Sequence, residues 1–159
     1  MTAKIVRVAL APERLMGVSC DFISSMDADS DAHLVIPDAW RVLFDLVDGS
    51  GPRDHWSLGI ISASPEPGRM RYVACVRERE SGTAPHGVVH VDFAGGTFIG
   101  CEHVGSLETI AKTTEWFYAE YLATCGLEIV EGPHVEIYDE RFNPSDPTSV
   151  VTIAAPVAP

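Results

Sequence analysis

A chain of 159 residues, 46% of them hydrophobic, holds material for one sizeable core and little room for two independent ones. Its 11 Lys and Arg against 23 Asp and Glu give a formal charge of -12, which repels phosphate backbones and draws in cations, so no direct nucleic-acid contact is expected. No stretch nears the roughly 18–20 apolar residues of a membrane span, and the N-terminal MTAKIVRVAL lacks a signal peptide's long apolar core, so a cytoplasmic protein is expected.

Residues 4–10 and 15–23 read as strands separated by Ala11, Pro12, Glu13 and Arg14, a candidate hairpin. The acidic, small-residue stretch 24–31 reads as a loop. Pro37 then suits a helix's first turn, and Trp40, Leu43, Phe44 and Val47 recur at helical spacing until Gly49, Ser50, Gly51 and Pro52 stop it. Residues 56–62 and 69–78 are β-rich runs joined by Pro65, Pro67 and Gly68, a second hairpin. After a loop over 81–87, residues 88–93 and 97–104 flank Ala94, Gly95 and Gly96, which predicts a third.

Ser106 can cap a helix with Glu108 in its first turn. Leu107, Ile110, Ala111, Thr114, Phe117, Tyr118, Tyr121 and Leu122 form its inward stripe, and Gly126 its stop. Residues 134–141 and 149–157 then bracket the turn residues Asn143, Pro144, Ser145, Asp146 and Pro147. Both halves of the chain share one plan, and Cys20 to Ser25 aligns with Cys101 to Ser106 just before each helix. The expected fold is α+β: one domain over 1–159, built of pseudo-symmetric strand/hairpin-helix-hairpin units near 4–78 and 88–157. Two such units pair into one antiparallel sheet with two helices and a groove between the halves.

In HVEIYDER, Val135 and Ile137 point to one face, suited to packing under a helix, and His134, Glu136 and Tyr138 to the other. Between the two units Glu136 is a carboxylate in an aromatic groove, able to attract a cation or to handle protons; the alternative is the wetted side of a sheet. Matching the repeats sets Gly59 opposite Glu136, leaving room for a ligand or marking a β-bulge. Trp40, Phe44, Trp56, Phe98 and Tyr138 stand where aromatic side chains reach the groove or the core. Trp116 falls opposite the helix's apolar stripe, a candidate contact for a partner or lid.

Cys20, Cys75, Cys101 and Cys125 form no CxxC pair and read as free thiols. The six histidines make no metal motif, and no nucleophile elbow or phosphate loop is present, so neither metal nor cofactor is expected.

Three stretches in order carry a resemblance: Phe98 through His103-Val104-Gly105, the aromatic helix ending Tyr121 to Gly126, and Val135-Glu136-Ile137-Tyr138. They resemble the C-terminal signature of GyrI-like domains, the effector-binding domains of multidrug-responsive regulators. The match is good over 88–157 and weaker before, where Ile36 to Trp40 and Tyr72 to Val76 resemble the family's first helix and a strand. The resemblance implies Glu136 at a pocket base meeting cationic ligands, with Phe98, Tyr138 and Trp40 around it. Phe98 departs from the family's usual Tyr, losing a hydroxyl and keeping a stacking face. Without a preceding helix-turn-helix, the chain is expected to act alone, with no DNA-binding domain.

Three functions follow. The first is a binding module for hydrophobic, aromatic or cationic compounds, as in multidrug or toxin binding. The second is a hydrolase opening cyclopropane-bearing alkylators with water, with Glu136 and Tyr138 as its catalytic pair, an activity implied by the resemblance. The third is a gyrase-inhibitor-like protein partner.

Overall fold

The computed structural model describes residues 3–48, 55–78 and 84–159. The first half contains β1 (Lys4–Leu10), β2 (Glu13–Phe22), α1 (Ala32–Val47), β3 (Ser57–Ala63) and β4 (Met70–Arg77). The second contains β5 (Val89–Phe93), β6 (Gly96–Val104), a composite helix, β7 (His134–Tyr138) and β8 (Val150–Pro156). That helix runs through a 3-10 turn (Leu107–Thr109), α2 (Ile110–Trp116), a π-helical turn (Phe117–Tyr121) and α3 (Leu122–Thr124). The helix stop expected at 49–52 lies outside the described residues, as does the start of the 81–87 loop.

The strands form one eight-stranded antiparallel sheet in the order β1-β6-β8-β7-β3-β4-β2-β5. Exchanging β1 with β5, β2 with β6, β3 with β7 and β4 with β8 reverses that order, so the two halves are related by a pseudo-twofold axis. The axis passes between β3 and β7, where Gly59 pairs with Glu136.

The pairs β3–β4 and β7–β8 are hairpins, as expected. The other two expected hairpins do not form: β1 pairs with β6, and β2 with β5. Leu10 stands opposite Gly96 and Glu13 opposite Phe93, so one register runs on through both pairs without gaining or losing a residue. Each expected hairpin is instead one long strand with a bend. Pro12 has no N–H for a ladder at the first bend. At the second, Gly95 has φ 70 and lies so close to the Leu10–Pro12 backbone that any Cβ would collide with it. These two bent strands tie the halves together.

Three apolar clusters follow from this geometry. Leu43 and Val47 of α1 pack on Tyr72 and Ala74. Phe117 packs on Ile99, Cys101 and Ile153. The third cluster, with Leu15, Leu58, Phe93, Phe98, Val135 and Ile137, fills the face away from the helices. Val135 and Ile137, expected beneath a helix, therefore lie on the opposite face. Strand alternation separates the two faces without saying which one a helix covers.

The helices also differ from expectation. α1 begins at Ala32, so Pro37 falls inside it rather than in the first turn. The start is held by the Asp31 carbonyl, which accepts from the N–H groups of Leu34 and Val35, while Asp31 Oδ1 accepts from Ile23 N–H at 2.7 Å. Ser106 caps the second helix by accepting from Glu108 N–H at 3.1 Å, as expected. Leu107 and Ala111 of the expected stripe are exposed, and Thr113, outside it, is buried. Trp116, expected to face outward, is half-buried against the α2-side cluster, with its ring 6.0 Å from that of Tyr121. The π-helical turn that follows breaks the 3.6-residue period on which a helical wheel depends. All four cysteines are free.

Candidate functional site

β3 and β7 are the two central strands, and their helix-side face is the floor of the groove. Strand alternation puts His134, Glu136 and Tyr138 on that floor. Glu136 Oε1 accepts hydrogen bonds from Tyr72 Oη at 2.8 Å and Tyr138 Oη at 3.3 Å. Tyr72 Oη in turn accepts from Trp40 Nε1 at 3.0 Å, so α1 and β4 both reach the carboxylate. Among the described residues no hydrogen bond occupies Oε2, and no Lys or Arg pairs with Glu136. Burial lifts the pKa of Glu136 above the ordinary carboxylate value, against the opposing pull of the two phenols. Burial, reinforced by the Glu136 charge, pushes Tyr72 and Tyr138 well up, so both remain protonated donors.

Gly59 makes this arrangement possible in an unexpected way. A Cβ there would overlap the Tyr72 hydroxyl and ring, so the missing side chain accommodates a phenol rather than a ligand directly. It marks no bulge either, because β3 pairs residue for residue with β4 from Ser57 to Ala63.

One end of the groove is aromatic. The Trp40 ring lies 5.1 Å from Tyr138 and 5.6 Å from Phe44, and Phe142 lies 4.9 Å from Tyr138, edge to face. Beside them opens a cavity of ≈ 200 Å³ lined by Phe44, Trp56, Ser57, Tyr138, Asp139 and Phe142. Trp56 also carries the Arg77 guanidinium 4.0 Å above its ring.

Trp56 lines that cavity but packs against the cluster on the face away from the helices, because strand alternation turns it opposite to Ser57. Trp40, Phe44, Gly59, Glu136 and Tyr138 are thus brought together. Phe98 is not: it is 2% exposed on the opposite face, stacked on Phe93 at 6.3 Å. Sequence reasoning missed Tyr72, whose part depends on the β3–β4 register, and Phe142, which sits in a turn-rich loop with no periodicity to mark it.

A second depression of ≈ 280 Å³ lies by the other helix, near Lys4, Glu102 and His103. His103 is spoken for there: Nδ1 meets Thr113 Oγ1 at 2.7 Å and Nε2 meets the Ser106 carbonyl at 2.8 Å. It bridges helix to sheet. Among the described residues no group of three or more His, Cys, Asp and Glu is placed to hold a metal ion, and no helix is long and apolar enough to cross a membrane.

A twofold-repeated antiparallel sheet, carrying two helices on one face and a carboxylate between them, defines an α+β ligand-binding domain. The chain belongs to the GyrI-like small molecule binding domain family, whose model matches residues 8–158. It is 33% identical to the transcriptional regulator BrlR of Pseudomonas aeruginosa over 102 residues, 64% of this chain and 37% of the regulator. It thus matches well under half the length of that relative. Among solved structures, it is similar to SAV2435 bound to tetraphenylphosphonium, at TM-score 0.71 and 14% identity over 99% of this chain and 94% of that one. It is also similar to a hydrolase from Listeria innocua, at TM-score 0.54 and 14% identity over 98% and 92%. At such identities the likeness establishes a shared fold.

Proposed function

We propose that this domain captures hydrophobic aromatic compounds, cationic ones foremost, in the groove above Glu136. One observation carries the reading: a carboxylate set among aromatic rings that has no cationic partner among the described residues. A lipophilic cation would neutralise Glu136 through the open Oε2 and lay its rings against Trp40 and Tyr138. The tetraphenylphosphonium bound by the SAV2435 neighbour has that chemistry. The -12 charge of the chain raises the local concentration of cations and repels phosphate backbones, so the reading assigns no direct nucleic-acid contact.

Titration with tetraphenylphosphonium, followed by tryptophan fluorescence, tests this. Saturable binding is expected, weakened about 10- to 100-fold in Glu136→Gln, the range of a lost charge-assisted contact. A variant that binds the cation as well as wild type, or a wild type that shows no saturation, overturns the reading.

A second reading, hydrolysis of a cyclopropane-bearing alkylator, draws on the raised pKa of Glu136 and its open Oε2. Water held there would bond to a cyclopropane carbon as the ring C–C bond breaks into the attached conjugated system. Glu136 would take the water proton and return it to the resulting anion. A product heavier by one water, made by wild type and absent with Glu136→Gln, is its signature. The third reading, a protein partner, loses its main residue because Trp116 packs inward.

A further inference from the structure

The floor of the groove has a direction. Along β7 its side chains stand in the order Tyr138, Glu136, His134, each step roughly 6.8 Å, twice the rise per residue of an antiparallel strand. Tyr138 belongs to the aromatic end and Glu136 holds the middle. The far end has different chemistry: Tyr118 Oη and His134 Nδ1 stand 2.8 Å apart, with ring centroids 5.4 Å apart.

Tyr118 comes from the π-helical turn Phe117–Tyr121. Such a turn takes one more residue than an α-turn and re-aims the side chains on it, and it is frequent at functional positions. Here Phe117 sinks into the core while its neighbour Tyr118 reaches across to β7. Both members of the pair are only half-buried.

Burial lowers the pKa of His134 and raises that of Tyr118, so the pair is a neutral imidazole bonded to a neutral phenol. The Glu136 charge adds to the rise at Tyr118, which places the phenol within reach of that carboxylate's field. If Tyr118 donates to Nδ1, the His134 Nε2–H is left to donate; if Nδ1–H donates to Oη, the phenol proton is left. Either tautomer therefore keeps one donor for a third molecule. Nε2 is neither bonded among the described residues nor sealed from solvent without a partner.

We propose that Tyr118 and His134 form a polar subsite that recognises a neutral oxygen of the ligand, one strand step beyond the centre held by Glu136. The subsite rests on the groove reading above and narrows its ligand class. The fitting molecule is elongated, with an aromatic body toward Tyr138, a cation or donor at Glu136, and a carbonyl or hydroxyl oxygen toward His134.

The cations 4-acetyl-1-benzylpyridinium and 1-benzyl-4-ethylpyridinium carry phenyl ring, cation and side group in that order, differ only in a carbonyl against a methylene, and can both be titrated into the full chain by calorimetry. The ketone is expected to bind about three- to tenfold tighter, the net worth of one hydrogen bond. Tyr118→Phe and His134→Leu should each erase that advantage, bringing the ratio of the two affinities to about one. Glu136→Gln should weaken both cations and preserve their ratio. Melting curves on each variant establish that the compared proteins are folded, and Tyr118→Phe keeps the ring that packs. Equal affinity for the two probes in wild type, or an unchanged ratio in folded Tyr118→Phe and His134→Leu, overturns the subsite and leaves the groove standing. Failure of wild type to bind either probe overturns the groove reading, and the subsite with it.

Discussion

Gly59→Ala probes whether the carboxylate cluster is built around a missing side chain. A Cβ at 59 would overlap Tyr72 Oη and Cζ. Tyr72 is fully buried between Trp40 and Phe22, at centroid distances of 6.3 and 6.4 Å, so its ring cannot retreat without displacing neighbours. Overpacking of this kind costs about 1–3 kcal/mol. Pulling the phenol off Glu136 removes a hydrogen bond to a carboxylate, worth about 1.5–3 kcal/mol. One displacement causes both losses, so they overlap, and a total of about 2–5 kcal/mol is expected. At about 2–4 °C per kcal/mol for a domain of this size, the Tm should fall by roughly 5–15 °C. Calorimetry on Gly59→Ala, Tyr72→Leu and the double variant gives the coupling. Leucine vacates the space above residue 59, where the new methyl then fills part of a cavity, so in that background the cost should drop below about 1 kcal/mol. An unchanged Tm in Gly59→Ala, or the same penalty in both backgrounds, refutes the reasoning.

Two further predictions concern titration and polar satisfaction. Burial lifts Glu136 above the ordinary carboxylate value of 4.5, so between that value and its folded pKa the native state binds more protons than the unfolded chain. Stability should therefore fall as pH rises through that window and level off above it. Urea unfolding of wild type and Glu136→Gln across the window should show wild type losing ground steadily from 4.5 upward; a constant gap would contradict the raised pKa. Thr113→Val removes the hydroxyl that meets His103 Nδ1 at 2.7 Å in a buried setting, and should cost about 1–3 kcal/mol in the same assay. A neutral effect would mean that water or another group satisfies the ring.

Much of the fold was legible because its signals are local. The alternation of His134, Val135, Glu136, Ile137 and Tyr138 reports a strand whatever lies around it. The likeness of the stretches ending at Ser25 and Ser106 gave the repeat, and from it the opposition of Gly59 and Glu136 that the sheet register contains. The errors are equally specific. Ala94, Gly95 and Gly96 permit any abrupt change of direction, and nothing local distinguishes a hairpin from a bend in one long strand. Phe98 was set beside Glu136 because face and register are joint properties of several strands. Trp116 was turned outward because a helical wheel assumes an unbroken period, which the π-helical turn interrupts.

The sequence by itself determined which segments extend, which coil, where a carboxylate stands alone on a strand face, and that the chain repeats its plan. These depend on interactions a few residues apart, where steric preference and periodicity act. Only the tertiary structure decided that β1 finds β6 and β2 finds β5, that the helices cover the Glu136 face, and that Tyr72, from another hairpin strand, becomes the principal donor to that carboxylate. Such choices are settled when distant segments compete for the same pairing edge and the same buried space, so no single stretch of the chain carries them.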